Sequence, residues 1–362
     1  MDVLLLDLGL SLRGGQRQVY YLARALARSP EWQGNFTPLV ACPKGSALAK
    51  LLLDEDLPLL PLPGRSPANP LLLFVLERAL RKRMAQGIPI IHTHDANAAT
   101  VGGFFKMLHG NKVKLVHSRR VSYPLRTGLR LQKYRRADAL VGVSAEISQG
   151  MQDAGLFAEK IHTIHSGIDP ERYLPKEERQ TGRFVFLSVG AFTPQKGYSI
   201  LIQAMSVLKE MEELPPWEVR IVGDGPLFQS ILEQAQSLNV DSQLALLGRQ
   251  DSRLVLPSCD ALVVPSTDGE GSSGAIKEGW VTGVPVICSS LPSNTELVKD
   301  KLNGLVTHVG NPLALAAAMA RCMNEPALCQ RLAQKGTATV LKYTDKRMAK
   351  AYVDLYQLLA RR

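Results

Sequence analysis

Short apolar runs alternate with longer amphipathic ones along this chain, and after a polar interruption the alternation begins again. In the first half "DVLLLDLGL" reads as a strand, "SLRGG" as a loop and "QRQVYYLARALARS" as a helix. "FTPLVACP", "LPLLPLP", "IPIIHTH", "VKLVHS", "DALVGVS" and "KIHTIHSG" read as further strands. Helices fall at "SALAKLLLDED", "PLLLFVLERALRKRMAQ" and "ANAATVGGFFKMLHG". The stretch "GIDPERYLPKEERQTGR", from Gly167, has no apolar period and reads as an interdomain linker. Beyond it come strands at "FVFLSVG", "WEVRIVGDG", "LALLG", "ALVVPS" and "PVICSS", helices at "YSILIQAMSVLKEM" and "PLFQSILEQAQSLN", and two closing helices, "PLALAAAMARCMN" and "DKRMAKAYVDLYQLLARR". Strands linked through helices pair in parallel and need cover on both faces. The pattern predicts two doubly wound Rossmann-like α/β domains facing each other across a cleft, with ligands at the carboxyl ends of the strands.

Composition narrows the class. A chain of 362 residues, 45% of them hydrophobic, suits two globular domains with good cores. The opening "MDVLLLDLGLS" carries Asp2 and Asp7 and no basic region, so it reads as a buried strand and not a signal peptide. No run reaches the roughly 18 apolar residues of a membrane helix. The 5 cysteines are scattered, which favours a reducing, cytoplasmic compartment. The charge is uneven: residues 1–180 hold 25 Lys+Arg against 16 Asp+Glu, and residues 181–362 hold 18 against 17. Two domains with different partners are expected.

The richest stretch is "STDGEGSSGAIKEGWVTGVPV", from Ser266. A Gly/Ser turn leads into a short helix, and a helix that starts this way offers free N–H groups and a positive dipole end to phosphate. Glu278 lies about one turn inside, where a carboxylate can accept two hydrogen bonds from a ribose diol. Glu270 lies in the turn, where a sugar joined to the phosphate would sit. The two glutamates need not be an acid/base couple; they can hold opposite ends of one nucleotide-sugar. A first-turn helix glutamate and a solvated loop glutamate are the plain alternative.

This region resembles the retaining glycosyltransferases of family 4, two-domain enzymes of the GT-B fold. Their mark is a Glu, seven residues, a second Glu and then Gly-x-Pro-Val, here Glu270, Glu278 and "GVPV" from Gly283. "LSVGAFTPQKGYSILIQAM" is similar to the family's phosphate loop, with Lys196 at the phosphate-binding lysine, and "RIVGDGP" to its next strand and turn. "IHTIHSGIDPERY" resembles the interdomain segment, "RGGQRQVYYLARAL" the first glycine loop, and "IIHTHD" the strand end carrying the active-site histidine, here His94. The resemblance implies an acceptor-binding domain at 1–170, a nucleotide-sugar-binding domain at 171–344, and a C-terminal helix at 345–362 that rejoins the first. It implies catalytic roles for His94, Lys196 and Glu270. Gly14, Gly15, Lys196, Ser272, Ser273, Gly274 and Glu278 would bind the donor, and Arg17, Arg119 and Arg120 the acceptor. No cofactor and no metal are expected beyond the nucleotide-sugar substrate.

Two departures stand out. The family's arginine after "VG" is Ala191 here, so Lys196 acts alone or Arg17 or Arg249 substitutes. "EGFG" at the first glutamate is "EGSS", which makes the turn more polar. His92 and His94 could form a metal pair, but no carboxylate or cysteine set completes a site. "DED" at Asp54–Asp56 reads as a solvated helix end. From Lys106 to Arg136 there are ten basic residues and no acidic one. That run suits an anionic acceptor or membrane surface, a solvated face, or nucleic acid; no nucleic-acid motif accompanies it. The expected protein moves a sugar onto an anionic glycan or glycolipid, such as a lipopolysaccharide core, from the cytoplasm or the inner face of the membrane. A same-fold nucleotide-sugar epimerase and a non-catalytic membrane- or nucleic-acid-binding protein are the alternatives.

Overall fold

The computed structural model describes residues 1–125, 128–177 and 182–361. The chain divides into two units, Met1–Gly167 with Thr344–Arg362, and Ile168–Tyr343. Each is built on a parallel sheet with helices on both faces.

The first sheet has seven strands: β1 (Asp2–Leu6), β2 (Thr37–Pro43), β3 (Leu59–Leu62), β4 (Ile90–Thr93), β5 (Lys114–Arg119), β6 (Ala139–Gly142) and β7 (Ile161–Thr163), in the order β3-β2-β1-β4-β5-β6-β7. The Pro-rich "LPLLPLP" forms the edge, where a missing N–H is tolerated. Order reverses between β1 and β4, which pair in parallel with Leu6 opposite Thr93. Such a reversal opens a crevice at the strands' carboxyl ends.

The last helix, Asp345–Ala360, belongs to this unit. It packs on the helix Gly14–Arg28, with Arg24 paired to Asp345 at 3.1 Å. Its Tyr352 and Tyr356 join a buried cluster with Val3, Leu5, Tyr20 and Val116.

The second sheet has six strands: β8 (Phe184–Val189), β9 (Trp217–Val222), β10 (Leu244–Leu246), β11 (Ala261–Val264), β12 (Val286–Ser289) and β13 (Leu305–Thr307), in the order β10-β9-β8-β11-β12-β13. Here the reversal falls between β8 and β11. The stretch expected to be a linker is packed over much of its length, and residues 178–181 of it lie outside the described residues. Ile168 and Tyr173 are in the second unit's core, and the N–H groups of Lys176 and Glu177 donate to Thr282 O and Pro257 O.

A helix at Pro326–Val340 was not anticipated. It supports the helix Gly274–Thr282 from behind. A Cβ at Gly336 would lie 2.2 Å from Trp280 Cδ1, so glycine is what lets the two helices approach. Trp280 is fully buried, and its indole N–H donates to Asn303 O at 2.9 Å.

Candidate active site

In the second unit, two loops meet beyond the carboxyl ends of β8 and β11. After β8 the chain makes a 3-10 turn, Pro194–Lys196, and reverses at Gly197 with φ +68°. The Thr267 N–H, in the loop after β11, donates to Gln195 O at 2.9 Å. This stitch brings Lys196 Nζ to 2.5 Å from Glu270 Oε1, although 74 residues separate them. Ser266 donates to the same oxygen at 2.7 Å. Both charged side chains are partly shielded, with 27% of Lys196 and 10% of Glu270 exposed.

Gly197 makes the approach possible, because a Cβ there would lie 2.0 Å from Pro265 O. Gly197→Ala is therefore expected to destabilise the protein by at least about 2 kcal/mol, combining left-handed strain with overpacking. Denaturant unfolding measures this; a wild-type midpoint would show that the two loops part easily.

Ser273 precedes the helix Gly274–Thr282 without a side-chain cap, and its first turn holds no acidic residue. The first amides, from Gly274 on, have no partner within the helix. Glu278 sits half-buried about one turn inside. Lys277, which sequence reasoning missed, is 1% exposed; its Nζ donates to Ser272 Oγ at 2.6 Å and lies 5.5 Å from the Tyr343 ring centre. Its position beside Glu278 was the only signal. The set offers one cation beside a carboxylate, an uncapped helix start and a second carboxylate. Arg249 is exposed shortly after β10.

In the first unit the β1/β4 crevice collects a different group. Gly14 and Gly15 form the opening turn of the helix Gly14–Arg28, not a loop before it, and Arg17 follows half-buried. A Cβ on Gly14 would meet nothing within 4 Å, so that turn is open. Asp7, fully buried, accepts from the Gly9 N–H at 2.8 Å and from Gln16 at 3.1 Å. Burial, and then the Asp95 carboxylate, raise its pKa. Asp95 caps the helix Ala96–His109 and accepts from Leu8 N–H at 2.6 Å.

His94 follows β4 and is 4% exposed. Arg120 Nη2 donates to its Nδ1 at 3.1 Å. With Nδ1 accepting, the ring proton sits on Nε2, so His94 is a neutral N–H donor and not a base. The His92 ring lies against it, tilted by 39° and 3.9 Å between centres. Both nitrogens of His92 are taken, by Tyr356 OH at 2.6 Å and Ser118 Oγ at 2.7 Å, so it has none left for a metal. Burial is the main cause that holds both histidines well below the usual range, and Arg120 adds to it. His117, bonded to Thr93 Oγ1 at 2.5 Å, is pushed down to about 3 by burial and then by Lys133 and Arg119. Among the described residues, no group of three or more His, Cys, Asp or Glu is placed to hold a metal.

The basic run Lys106–Arg136 is less available than its composition suggests. Lys106 pairs with Asp138 at 2.8 Å, and Lys133 donates to Ala96 O at 2.8 Å. Arg119 donates to Tyr123 O, away from Arg120 on His94. Lys112, Arg135 and Arg136 are exposed. Arg126 and the Arg130 side chain lie outside the described residues. Glu55 of "DED" accepts from Tyr20 OH at 2.7 Å.

Two parallel-sheet units, each with polar groups at its sheet reversal, define a two-Rossmann transferase architecture. The model of the glycosyl transferases group 1 matches residues 169–339, and that of glycosyltransferase family 4 matches residues 12–172. The chain belongs to this glycosyltransferase family. It is 27% identical to the lipopolysaccharide core biosynthesis glycosyltransferase LpsD of Rhizobium meliloti, over 66% of this chain and 68% of that one. It is 30% identical to an Escherichia coli UDP-Gal:alpha-D-GlcNAc-diphosphoundecaprenol alpha-1,3-galactosyltransferase, over 54% of each. The fold superimposes on HepE of Anabaena, solved with UDP and glucose, with a TM-score of 0.82, 19% identity and 99% of both chains covered. The protein is a glycosyltransferase of the GT-B fold, and the family match, not the fold, sets aside the epimerase and non-catalytic readings.

Proposed function

We propose that the protein transfers a sugar, with retention of anomeric configuration, from a UDP-sugar to an anionic glycan or glycolipid of the lipopolysaccharide-core kind. The Lys196–Glu270 pair beside the uncapped helix at Gly274 carries this reading. In it the diphosphate meets Lys196 and the amides near Ser273 and Gly274, Glu278 holds the ribose and Glu270 the sugar. Charge leaving with the diphosphate is then met by fixed donors, which is how such sites lower a barrier. Lys196 does this alone or with Arg249, since Ala191 offers no cation. Uridine is favoured by HepE's complex, and an acidic acceptor by the names of LpsD and the E. coli transferase. Arg17, Arg120 and, after rearrangement, Arg119 are the acceptor's cations; Gly14 and Gly15 keep the donor-binding role that the resemblance gives them, with open space at Gly14 and Arg120 close to Gly15. His94 acts near the reacting sugar as a hydrogen-bond donor.

Calorimetric titration with UDP is the first test. Glu278→Gln should weaken UDP by about 1–3 kcal/mol through loss of a charged acceptor. Unchanged affinity would remove Glu278 from the ribose, and no heat with any nucleotide would remove the donor assignment itself.

A further inference from the structure

The outer side of the first unit carries an apolar surface that the transfer reaction does not explain. The helices Pro70–Met84 and Ala96–His109 are successive crossovers on the same sheet face, so they run in the same direction. His109 Nε2 bonds to Glu77 Oε2 at 2.8 Å, which sets residues 104–108 alongside 71–76. Their core sides are already filled by Leu72, Leu76 and Leu80, and by Ala98, Val101 and Phe105. On the opposite side Leu71, Phe74, Phe104, Met107 and Leu108 are exposed, from 38% at Phe104 to 63% at Phe74. Isolated exposed apolar residues are ordinary, but five in one patch mark a contact surface.

Charge identifies the partner. Arg78 and Lys82 are exposed beside the patch on the first helix, and Lys112 just beyond the second. Glu77, the only acid from Pro70 to Met84, is occupied by Arg81 at 2.6 Å and by His109. No acid occurs between Ala96 and Arg136. A second copy of this chain would bring like cations together across the patch. An anionic bilayer accepts the apolar side chains at its surface and attracts the cations around them.

We propose that this helix pair is a membrane-docking face for anionic bilayers, with Phe74, Phe104 and Met107 entering the interface and Arg78, Lys82 and Lys112 over the headgroups. Among the described residues no helix is long and apolar enough to cross a membrane, so this contact would be reversible and peripheral. It does not rest on the donor assignment, because vesicle binding is measured without donor.

The test is co-sedimentation of the full chain with vesicles of phosphatidylcholine alone, or with about a third phosphatidylglycerol, in 0.1 M and 1 M salt. Binding should require the anionic lipid and weaken with salt, as expected from screening. Arg78→Ser/Lys82→Ser/Lys112→Ser should lower partitioning by about 10²-fold, and Phe74→Ser/Met107→Ser should abolish what survives high salt. An unchanged far-ultraviolet circular dichroism spectrum in both certifies the fold. Equal binding by wild type and both variants would overturn the proposal. So would loss confined to an Arg135→Ser/Arg136→Ser control, or a wild-type dimer that Phe74→Ser/Met107→Ser dissociates.

Discussion

Lys196→Ala should lower turnover by a factor on the order of 10² or more, the usual cost of removing one donor aimed at developing charge. The structure explains why no neighbour readily replaces it. Lys196 and Glu270 share one contact at 2.5 Å, and Ser266 donates to the same carboxylate oxygen at 2.7 Å. Without the lysine, Glu270 becomes a lone carboxylate beside the place proposed for a diphosphate, so repulsion adds to the lost attraction. Binding of UDP should fall as well, while uridine, which lacks phosphates, should bind mutant and wild type alike. Full turnover in Lys196→Ala would move the phosphate site elsewhere, with Arg249 the next cation to test.

Stability should fall steeply below about pH 6.5, the ordinary histidine value. His92, His94 and His117 are buried and held neutral in the folded protein. Unfolded, each takes up a proton near pH 6.5, so below that pH the unfolded state binds more protons than the folded one. The contribution is fully present above pH 6.5 and is lost as pH falls, toward about 3 for His117. Each histidine can cost up to about 1.4 kcal/mol per pH unit. Three together approach about 4 kcal/mol per unit, against a total stability of roughly 5–15 kcal/mol. Asp7 acts in the opposite sense, since its raised pKa favours the folded state as it gains a proton. Urea midpoints at pH 7.5, 6 and 5 measure the balance. A flat profile would mean that the cluster opens to water without unfolding.

Most of the fold could be read locally. The strands at "DVLLLDLGL" and "FVFLSVG" are nearly continuous apolar runs, as strands covered on both faces must be. The helix Pro326–Val340 escaped because Gln, Lys and Thr interrupt its apolar positions, and it is seated by Gly336 against Trp280, a long-range contact. β13, Leu305–Thr307, escaped because it lies between the polar stretches "KDKLNG" and "HVGN". The site shows the same division. The spacing of Glu270 and Glu278 is visible in the sequence, but the contact between Glu270 and Lys196 exists only once β8 and β11 lie side by side. The cations from Lys106 to Arg136 looked equivalent in sequence. Lys106 is committed to Asp138, 32 residues away, and Arg120 to His94, 26 residues away, and no local pattern announces either.

The first unit is closed by a helix that the ribosome delivers only after the whole of the second unit. Tyr356 and Tyr352 complete the hydrogen bonds of His92 and Ser118, and Met348, Val353 and Leu359 cover apolar residues of β1 and of the helix Gly14–Arg28. All of Ile168–Tyr343 is synthesised in between. At 5–20 residues per second, the N-terminal sheet waits about 10–40 s for its covering layer. During that interval Val3, Leu5 and Tyr20 lack part of their native cover, while the intervening unit can fold as it emerges. Nascent chains are therefore most exposed to aggregation and to chaperone capture on this one face, and the emergence of Asp345–Ala360, not that of the first seven strands, completes the N-terminal core.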